Sequence, residues 1–290
     1  MVALFVSDDM ETGEQRDSLS VMNLDSEMQQ LVATMRNKLL VVKLGGSTLE
    51  SERVVLQDII WLRDCGVKVV LVHGGGASIN EWLLKCNVPV RFEDGLRVTD
   101  ALTLSVVRMV LCGQVNQELV ALTEQLGGRA VGLSGMDDHM IHARVADERL
   151  GFVGAVDAVD ASLLERICAA GYIPIIAPLG LDDHGQCLNI NADVAASHIA
   201  SALKADRLIF LSNVCGICQP DGEVIPRLNG QMAQALIAEG VISGGMLPKV
   251  AACLQALQAV PCVHIVDGRM DHVLLHEILD GPAIGTQFTR

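Results

Sequence analysis

The sequence LLVVKLGGS at residues 39–47 joins an uninterrupted apolar run to a lysine and two glycines. Such a run is typical of a strand buried on both faces of a parallel sheet. Glycines let backbone N–H groups approach an oxyanion, Lys43 adds a positive charge, and a helix predicted from about Ser51 to Cys65 would direct its positive end at the same place. The stretch therefore predicts a strand that opens into a phosphate site. Taken alone, however, a strand followed by two glycines is more often a plain tight turn.

The same order of apolar run, glycine turn and helix recurs along the chain. Residues 67–72 are apolar except for Lys68; His73 and three glycines at 74–76 follow them, and a helix is predicted from about Ser78 to Cys86. This repetition is typical of parallel α/β sheets. Two glycine loops in one chain indicate that a single phosphate is handled between them.

The remaining elements follow the same pattern. Further strands are predicted near residues 130–140, 153–156, 172–178, 207–211 and 263–266, and further helices at about 103–126, 161–170, 194–203, 249–259 and 272–279.

Composition excludes several classes of function. The chain has 290 residues, 50% of them hydrophobic, and a net charge of −14, so it can bury a large core but offers no general basic surface for nucleic acid or an anionic membrane. Its apolar runs are shorter than a membrane span, and its nine cysteines favour reduced thiols in a cytoplasmic protein. Cys215 and Cys218 have Cys-x-x-Cys spacing, but no second ligand pair follows, so we predict ordinary loop cysteines and no metal site.

Three polar groups outside the first two loops are candidates for chemistry. Arg97 lies in a predicted loop and could fork onto a carboxylate, although a solvated loop arginine is the simpler interpretation. Asn189, Asn191 and Asp193 alternate with apolar residues just ahead of a helix, where Asp193 could simply cap it. Lys249 follows glycines at a third helix start and suits a phosphate, unless it is a solvated loop lysine.

Taken together, these motifs resemble those of the amino acid kinase family and, within it, the N-acetylglutamate kinases. The resemblance runs in order from about residue 38 to the C-terminus. It rests on Lys-Leu-Gly-Gly at 43–46, His-Gly-Gly-Gly at 73–76, Gly-Leu-Arg-Val-Thr at 95–99, Asn-Ile-Asn-Ala-Asp at 189–193, Gly-Gly-Met-Leu-Pro-Lys at 244–249 and Ile-Gly-Thr at 284–286.

The resemblance implies a fold and a reaction. The fold is a three-layer αβα sandwich with a central, mostly parallel sheet. Residues 38–187 would form a lobe for the acyl amino acid, residues 188–290 a lobe for ATP, and residues 1–37 an added N-terminal arm. The reaction is transfer of the γ-phosphoryl group of MgATP to the γ-carboxylate of N-acetyl-L-glutamate, in arginine biosynthesis.

The resemblance also implies roles for individual residues. Lys43 and Lys249 would stabilise the transition-state charge, and Asp193 would organise them. The residues implied to bind the substrate are Gly75, Gly76, Arg97, Asn189 and Asn191. Those implied to bind ATP and its phosphates are Gly45, Gly46, Asn213, Gly216, Ser243, Gly244 and Lys249.

Two other functions stay open at this point. Asn213 stands where many acetylglutamate kinases have an aspartate and resembles some aminoadipate kinases, so a contact with the nucleotide could differ. A kinase for another acidic amino acid, such as an aminoadipate derivative, is one alternative, because it would share every phosphate-handling residue and differ only in the pocket around Arg97 and Asn189. A catalytically silent, arginine-sensing domain of the kind attached to acetylglutamate synthases is the other alternative, but it would lack the two lysines and the Asn-x-Asn-x-Asp cluster.

The resemblance leaves regulation and assembly open. A helix predicted from about Asp25 to Arg36, with an apolar face, would link dimers into a hexamer, and His264, Glu277 and Gly285 match an arginine effector site. We give arginine inhibition and a plain homodimer similar weight, because Ala283 replaces a glycine that is usual in that loop.

Overall fold

A computed structural model of the protein describes residues 34–45, 49–280 and 284–290. Its strands, in chain order, are β1 (Leu39–Leu44), β2 (Lys68–His73), β3 (Phe92–Glu93), β4 (Leu96–Arg97), β5 (Ala130–Ser134), β6 (Ile141–Val145), β7 (Val153–Val159), β8 (Ile173–Ala177), β9 (Leu179–Leu181), β10 (Cys187–Ile190), β11 (Arg207–Ser212), β12 (Arg227–Leu228), β13 (Cys262–Asp267) and β14 (Thr286–Phe288). Its α-helices are α1 (Leu49–Asp64), α2 (Gly76–Lys85), α3 (Ala101–Arg108), α4 (Asn116–Gln125), α5 (Ser162–Ala169), α6 (Ala192–Ala202), α7 (Gly230–Ala238), α8 (Met246–Ala256) and α9 (Val273–Asp280).

Eight of these strands form one sheet, in the order β12-β14-β13-β11-β1-β2-β8-β5. Every neighbouring pair is parallel except β13 and β14. The central strand β1 pairs with β2 on one side and with β11, from the second half of the chain, on the other. The two predicted lobes therefore share a continuous sheet, and the loops that follow β1, β2 and β11 meet at its carboxyl edge.

Helices cover both faces of this sheet and make three layers, which confirms the predicted αβα sandwich. Alternation along β1 decides which side chain meets which layer. Leu40, Val42 and Leu44 pack in a cluster with residues of α1, α4 and α9. Val41 points to the opposite face, where residues of α6 and α8 pack. Since Lys43 is two residues after Val41, it faces the same helices.

A second, smaller sheet lies beside the first and was not predicted. Strands β6, β7, β9 and β10 close into a four-stranded barrel, and β3 and β4 form a separate hairpin. The polar cluster at 189–193 begins inside this barrel, because Leu188 and Ile190 are buried in the core while Asn189 points to the other face of β10. Polar residues on alternate positions thus mark a half-buried strand here.

The predicted helix at 103–126 is present but is not a regular α-helix throughout. It runs as α3, a π-helical segment at Met109–Val115, and α4. Such π segments often lie at functional sites. Helix α7, capped by the Asn229 side chain, was not predicted. No helix of the described residues is both long enough and apolar enough to cross a membrane.

Most of the N-terminal arm lies outside the described residues, including Asp25 and the predicted face residues Met28, Leu31 and Val32. Residues 34 and 35 are helical, and Met35 is buried in the cluster that contains α1 and α9. The arm and the lobe boundaries stay predictions.

Candidate active site

Three charged side chains meet at the carboxyl edge of the sheet. Lys43, near the end of β1, has its Nζ 3.0 Å from Oδ1 of Asp193, in the first turn of α6. Lys249, in the first turn of α8, donates a hydrogen bond of 2.9 Å to the other carboxylate oxygen. One carboxylate therefore bridges two ammonium groups, and each of the three residues is only 8% exposed.

The charges of this cluster do not cancel. Burial lowers the pKa of Lys43, and the nearby Lys249 lowers it further, while Asp193 acts in the opposite direction. Burial alone would raise the pKa of Asp193, but the two ammonium groups hold it below its ordinary value. With both lysines charged and one carboxylate ionised, the cluster carries one net positive charge in a desolvated place. Such a centre suits an anion whose charge grows during a reaction.

Gly45 keeps the space that the Lys43 ammonium occupies. A Cβ added at Gly45 would lie 2.2 Å from Lys43 Nζ, closer than any real contact. Gly45, which the sequence predicts to bind phosphate, therefore also leaves the room that the Lys43 side chain needs. The second glycine of the pair, Gly46, lies outside the described residues.

Asn191, and not Asp193, caps α6. The Asn191 side-chain oxygen accepts from the backbone N–H groups of Asp193 and Val194, at 2.9 and 3.2 Å. The alternative interpretation of Asp193 as a helix cap is therefore wrong, and its carboxylate is left for the two lysines. Asn191 also lines the cavity that lies between Lys43 and Arg97, although its side-chain oxygen already accepts these two backbone hydrogen bonds.

The glycine loop after β2 rests on a buried neutral histidine. His73 Nδ1 donates to the Gly74 carbonyl at 2.7 Å, and its Nε2 accepts from the Asn116 amide at 3.1 Å. Burial lowers the pKa of His73 to about 4, so the ring is neutral at pH 7. This network fixes where β2 ends and where the loop begins.

The last two glycines of this loop, Gly75 and Gly76, have different surroundings. A Cβ at Gly75 would lie 2.6 Å from Leu111 of the π segment, so the close packing there requires glycine. A Cβ at Gly76 would meet no described atom within 4 Å. The open space beside Gly76, at the N-terminus of α2, is therefore available to a ligand.

A cavity of about 230 Å³ connects the lysine cluster with Arg97. Lys43 lines it at one end, and the glycine loop, Arg97, Asn189 and Asn191 line the rest. Arg97 Nη2 donates to Asn80 Oδ1 at 2.7 Å and lies 3.3 Å from the Gly76 carbonyl, and its guanidinium stacks over Phe92. Its Nη1 is buried and has no hydrogen-bond partner among the described residues.

Arg97 and Asn189 are held in register through one hydroxyl group. The Asn189 amide donates to Thr99 Oγ1 at 3.1 Å, and that hydroxyl donates to the Arg97 carbonyl at 2.8 Å. Thr99 is completely buried. Because this chain of hydrogen bonds joins β4 to β10, the two side chains form one preorganised wall of the cavity.

A second cavity, of about 440 Å³, lies where β11 ends and α8 begins. Asn213, Gly216 and Ser243, three of the residues predicted to bind ATP, line it. Gly244 lies beside it in an exposed loop, with a φ of +54° that suits glycine. Lys249 follows this loop on α8, so the phosphate end of a ligand in this cavity would point towards the lysine cluster.

Of the residues predicted for an arginine effector, His264 and Glu277 line neither cavity, whereas Gly285 packs against Gly216 in the wall of the second cavity. His264 Nδ1 is 3.1 Å from Glu277 Oε1, and Arg207 Nη1 donates to the same oxygen at 2.8 Å. Glu277 is completely buried, and its carboxylate is already paired with the guanidinium of Arg207. Gly285 has a φ of +69° and approaches the Ile265 carbonyl so closely that a Cβ would meet it at 2.1 Å.

Several site residues were missed from the sequence. The sequence identifies His73 only as the residue before the glycines and Thr99 only as the last residue of the motif at 95–99, and it does not single out Asn116 or Asn80. Asn116 carried a usable signal, because it is a polar residue on the apolar face of a predicted helix. Asn80 and Thr99 carried no such signal and are recognised only by what they contact.

Comparisons with known proteins identify a family for this chain. A family model described as the amino acid kinase family matches residues 38–267. An acetylglutamate kinase from Thermosynechococcus vestitus is 45% identical over 269 residues, which cover 90% of this chain and 91% of that protein.

Solved structures give the same picture. The structure of smu.665 from Streptococcus mutans is similar with a TM-score of 0.75 and 32% identity, over 87% of this chain and 98% of that one. An N-acetylglutamate synthase from Neisseria gonorrhoeae, in complex with coenzyme A and N-acetyl-glutamate, is similar with a TM-score of 0.79 and 26% identity, over 91% of this chain and 62% of that one.

Proposed function

The chain belongs to the amino acid kinase family, and we propose that it transfers the γ-phosphoryl group of MgATP to the γ-carboxylate of N-acetyl-L-glutamate. The product is the acyl phosphate N-acetyl-L-glutamyl 5-phosphate, made in the cytoplasm during arginine biosynthesis. The names of the curated relatives support this substrate, and the charge distribution of the site supports this chemistry.

The observation that carries the proposal is the buried cluster in which Asp193 bridges Lys43 and Lys249. A carboxylate substrate is already a nucleophile and needs no strong general base. Catalysis of phosphoryl transfer is then mostly positioning and stabilisation of charge on the transferred group. Two ammonium groups held by one carboxylate supply that charge, and Asp193 fixes their positions.

The shape of the main cavity supports an acidic amino acid derivative as the acceptor. The unpaired, buried Nη1 of Arg97 is a donor for the substrate's α-carboxylate. Asn189, tied to Arg97 through Thr99, is placed for the N-acetyl amide. A substrate held in this way would extend its γ-carboxylate past the glycine loop towards Lys43.

ATP is assigned to the second cavity, between Asn213 and Ser243, with its phosphates towards Lys249. The described residues hold no group of three or more metal-ligating side chains, and Asp193 is occupied by the lysines. We therefore infer that Mg²⁺ arrives on the nucleotide phosphates, where it would neutralise part of their charge.

The presence of all three cluster residues favours an active kinase over a silent arginine-sensing domain. Assembly as a homodimer or homohexamer, and inhibition by arginine, remain proposals that rest on the resemblance. Light scattering with and without residues 1–36, combined with an arginine titration of activity, separates these cases. A dimer of unchanged size that ignores millimolar arginine would remove the regulatory proposal.

A coupled assay of ADP release tests the proposed function. We expect turnover with N-acetyl-L-glutamate and little with L-glutamate, since the free amine lacks the acetyl group that Asn189 would recognise. An N-acylated aminoadipate is the decisive competitor, because it carries the same groups and one more methylene. A higher kcat/KM for that compound would identify this chain as the related kinase instead.

A further inference from the structure

The Cys215–Cys218 pair has no role in the proposed phosphoryl transfer. Both residues are free thiols, and their Sγ atoms are 3.5 Å apart. Cys215 is exposed and Cys218 is partly exposed, so solvent-borne reagents can reach the pair. Among the described residues no group of three or more metal-ligating side chains occurs, and two sulfurs alone do not complete a zinc site.

The backbone on either side of the pair is fixed. Gly216, between the cysteines, has a φ of +144° and packs so tightly that a Cβ would lie 2.7 Å from Thr286 Oγ1. The next residue, Ile217, donates its N–H to the same oxygen at 2.8 Å. Cys218 then forms an antiparallel bridge with Val224. The two sulfurs are therefore held near each other by the fold and not by chance rotation of a mobile loop.

The pair also lies in the wall of the second cavity. Cys215, Gly216 and Cys218 line this cavity together with Asn213 and Ser243. Any covalent change at the two sulfurs therefore changes the shape of the space assigned to the nucleotide.

We propose that Cys215 and Cys218 are a reversible redox modification site, which hydroperoxides oxidise to an intramolecular disulfide, and that this disulfide weakens nucleotide binding in the adjoining cavity. The effect on the nucleotide rests on the proposed function. Formation of the disulfide does not.

The chemistry balances with hydrogen peroxide as the oxidant. The Cys215 thiolate attacks one peroxide oxygen, an S–O bond forms, the O–O bond breaks, and the departing hydroxide takes a proton to become water. Cys218 then attacks the sulfur of the resulting sulfenic acid, so that an S–S bond forms and a second water leaves. Two thiols lose two electrons in total, and the peroxide is reduced to two waters. An external dithiol reverses the change by thiol–disulfide exchange.

The surroundings assign different roles to the two sulfurs. Burial raises the pKa of Cys218, and the adjacent Cys215 raises it further, which suits a resolving thiol. Cys215 is exposed whereas Cys218 is only partly exposed, and the Arg269 guanidinium belongs to the same cavity wall as both sulfurs. Cys215 is therefore the better placed of the two to attack the oxidant.

Closing the bond must move the cavity wall. The sulfurs are 3.5 Å apart and a disulfide bond is about 2.05 Å long, so the two sulfurs have to approach each other. Because the backbone around Gly216 is fixed, the shift falls mainly on exposed Cys215, next to Asn213. Misplacement of a binding wall by about 1 Å is enough to cost a large factor in affinity or rate.

The test is oxidation of the purified full-length protein with hydrogen peroxide, followed by a thiol count, peptide mass spectrometry and direct titration with ATP. We expect a Cys215–Cys218 cross-linked peptide and ATP binding weakened by about fivefold or more, with full recovery after dithiothreitol. The KM for N-acetyl-L-glutamate should stay unchanged. If the reduced protein binds no ATP at all, the proposed function fails, while the thiol count still decides whether the disulfide forms.

Matched variants make the result specific. In Cys218→Ser the reaction should stop at a sulfenic acid on Cys215 that dimedone labels. Cys86→Ser, which changes an exposed cysteine away from both cavities, should keep the full response. Free thiols at both positions after peroxide treatment, or a complete disulfide that leaves ATP affinity unchanged, would overturn the proposal.

Discussion

Replacing Asp193 with asparagine should give the kinase a new pH dependence. The carboxylate lies 3.0 Å from Lys43 Nζ and 2.9 Å from Lys249 Nζ, and asparagine keeps its shape but not its charge. The variant would then hold two buried ammonium groups with no carboxylate between them. One of them has to lose its proton, move or attract a counter-ion.

The size of the effect follows from the geometry. At about 3 Å and an effective dielectric of about 20, each contact contributes roughly 5 kcal/mol of attraction. Even half of that energy corresponds to about two pH units in the protonation of a lysine. Since burial already lowers the pKa of Lys43, we expect this lysine to lose its proton at a lower pH in the variant than in the unmodified protein. Turnover at pH 7 should fall by about 100-fold or more, as for the loss of a transition-state contact.

The assay is a pH profile of kcat from 6 to 9. In Asp193→Asn the activity should rise as the pH falls, because acid restores the Lys43 ammonium, whereas the unmodified protein should show no such rise. Asp206→Asn is the matched control, since Asp206 forms a partly exposed ion pair with Lys38. Turnover of Asp193→Asn near that of the control, with an unshifted profile, would refute the reasoning.

Three further predictions concern single residues. Arg97→Lys should raise the KM for N-acetyl-L-glutamate by about tenfold or more, because a lysine cannot make two parallel hydrogen bonds to a carboxylate. The KM for ATP should hardly change. Equal effects on both KM values in steady-state kinetics would show that Arg97 does not bind the amino acid substrate. Gly45→Ala should lower turnover by about tenfold or more while ATP still binds, because the added Cβ displaces the Lys43 ammonium. Normal turnover of this variant, measured alongside an ATP titration, would contradict the prediction. Folding lowers the pKa of His73 from 6.5 to about 4, so the folded protein binds this proton less readily than the unfolded chain. The contribution of His73 to the free energy of unfolding is therefore present above pH 6.5 and is lost as the pH falls towards 4. In denaturant titrations, the free energy of unfolding of His73→Gln should fall less between pH 6.5 and 4 than that of the unmodified protein, by up to about 3 kcal/mol.

Much of the fold could be predicted because buried parallel strands have a strong signature. The apolar run at 39–42 and the run at 67–72, apolar except for Lys68, are each followed by glycines, so both the strand and its carboxyl end are marked. Strands β6, β9 and β10 are three to five residues long, too short for a periodic pattern, and they pair across distant parts of the chain. That barrel could not be foreseen, because its strands are stabilised by tertiary contacts and not by local sequence.

The candidate site divides in the same way. Lys43, Asp193 and Lys249 each stand beside a turn or a helix start, so their residue types already indicated anion chemistry. Their contact depends on β1 pairing with β11 and on α6 and α8 packing on one face, which only the tertiary structure supplies. The supporting pair His73 and Asn116 could not be assigned from spacing alone, since 43 residues separate them.

Trapping of the acyl phosphate tests the central claim most directly. The protein, MgATP and N-acetyl-L-glutamate are incubated with hydroxylamine, and the hydroxamate is measured together with ADP. Formation of the γ-hydroxamate in equal amount to ADP, with loss of both products in Lys43→Ala and Lys249→Ala, is the predicted result. ADP release without hydroxamate, or near-normal hydroxamate formation in both lysine variants, would contradict the assignment of this site to γ-carboxylate phosphorylation.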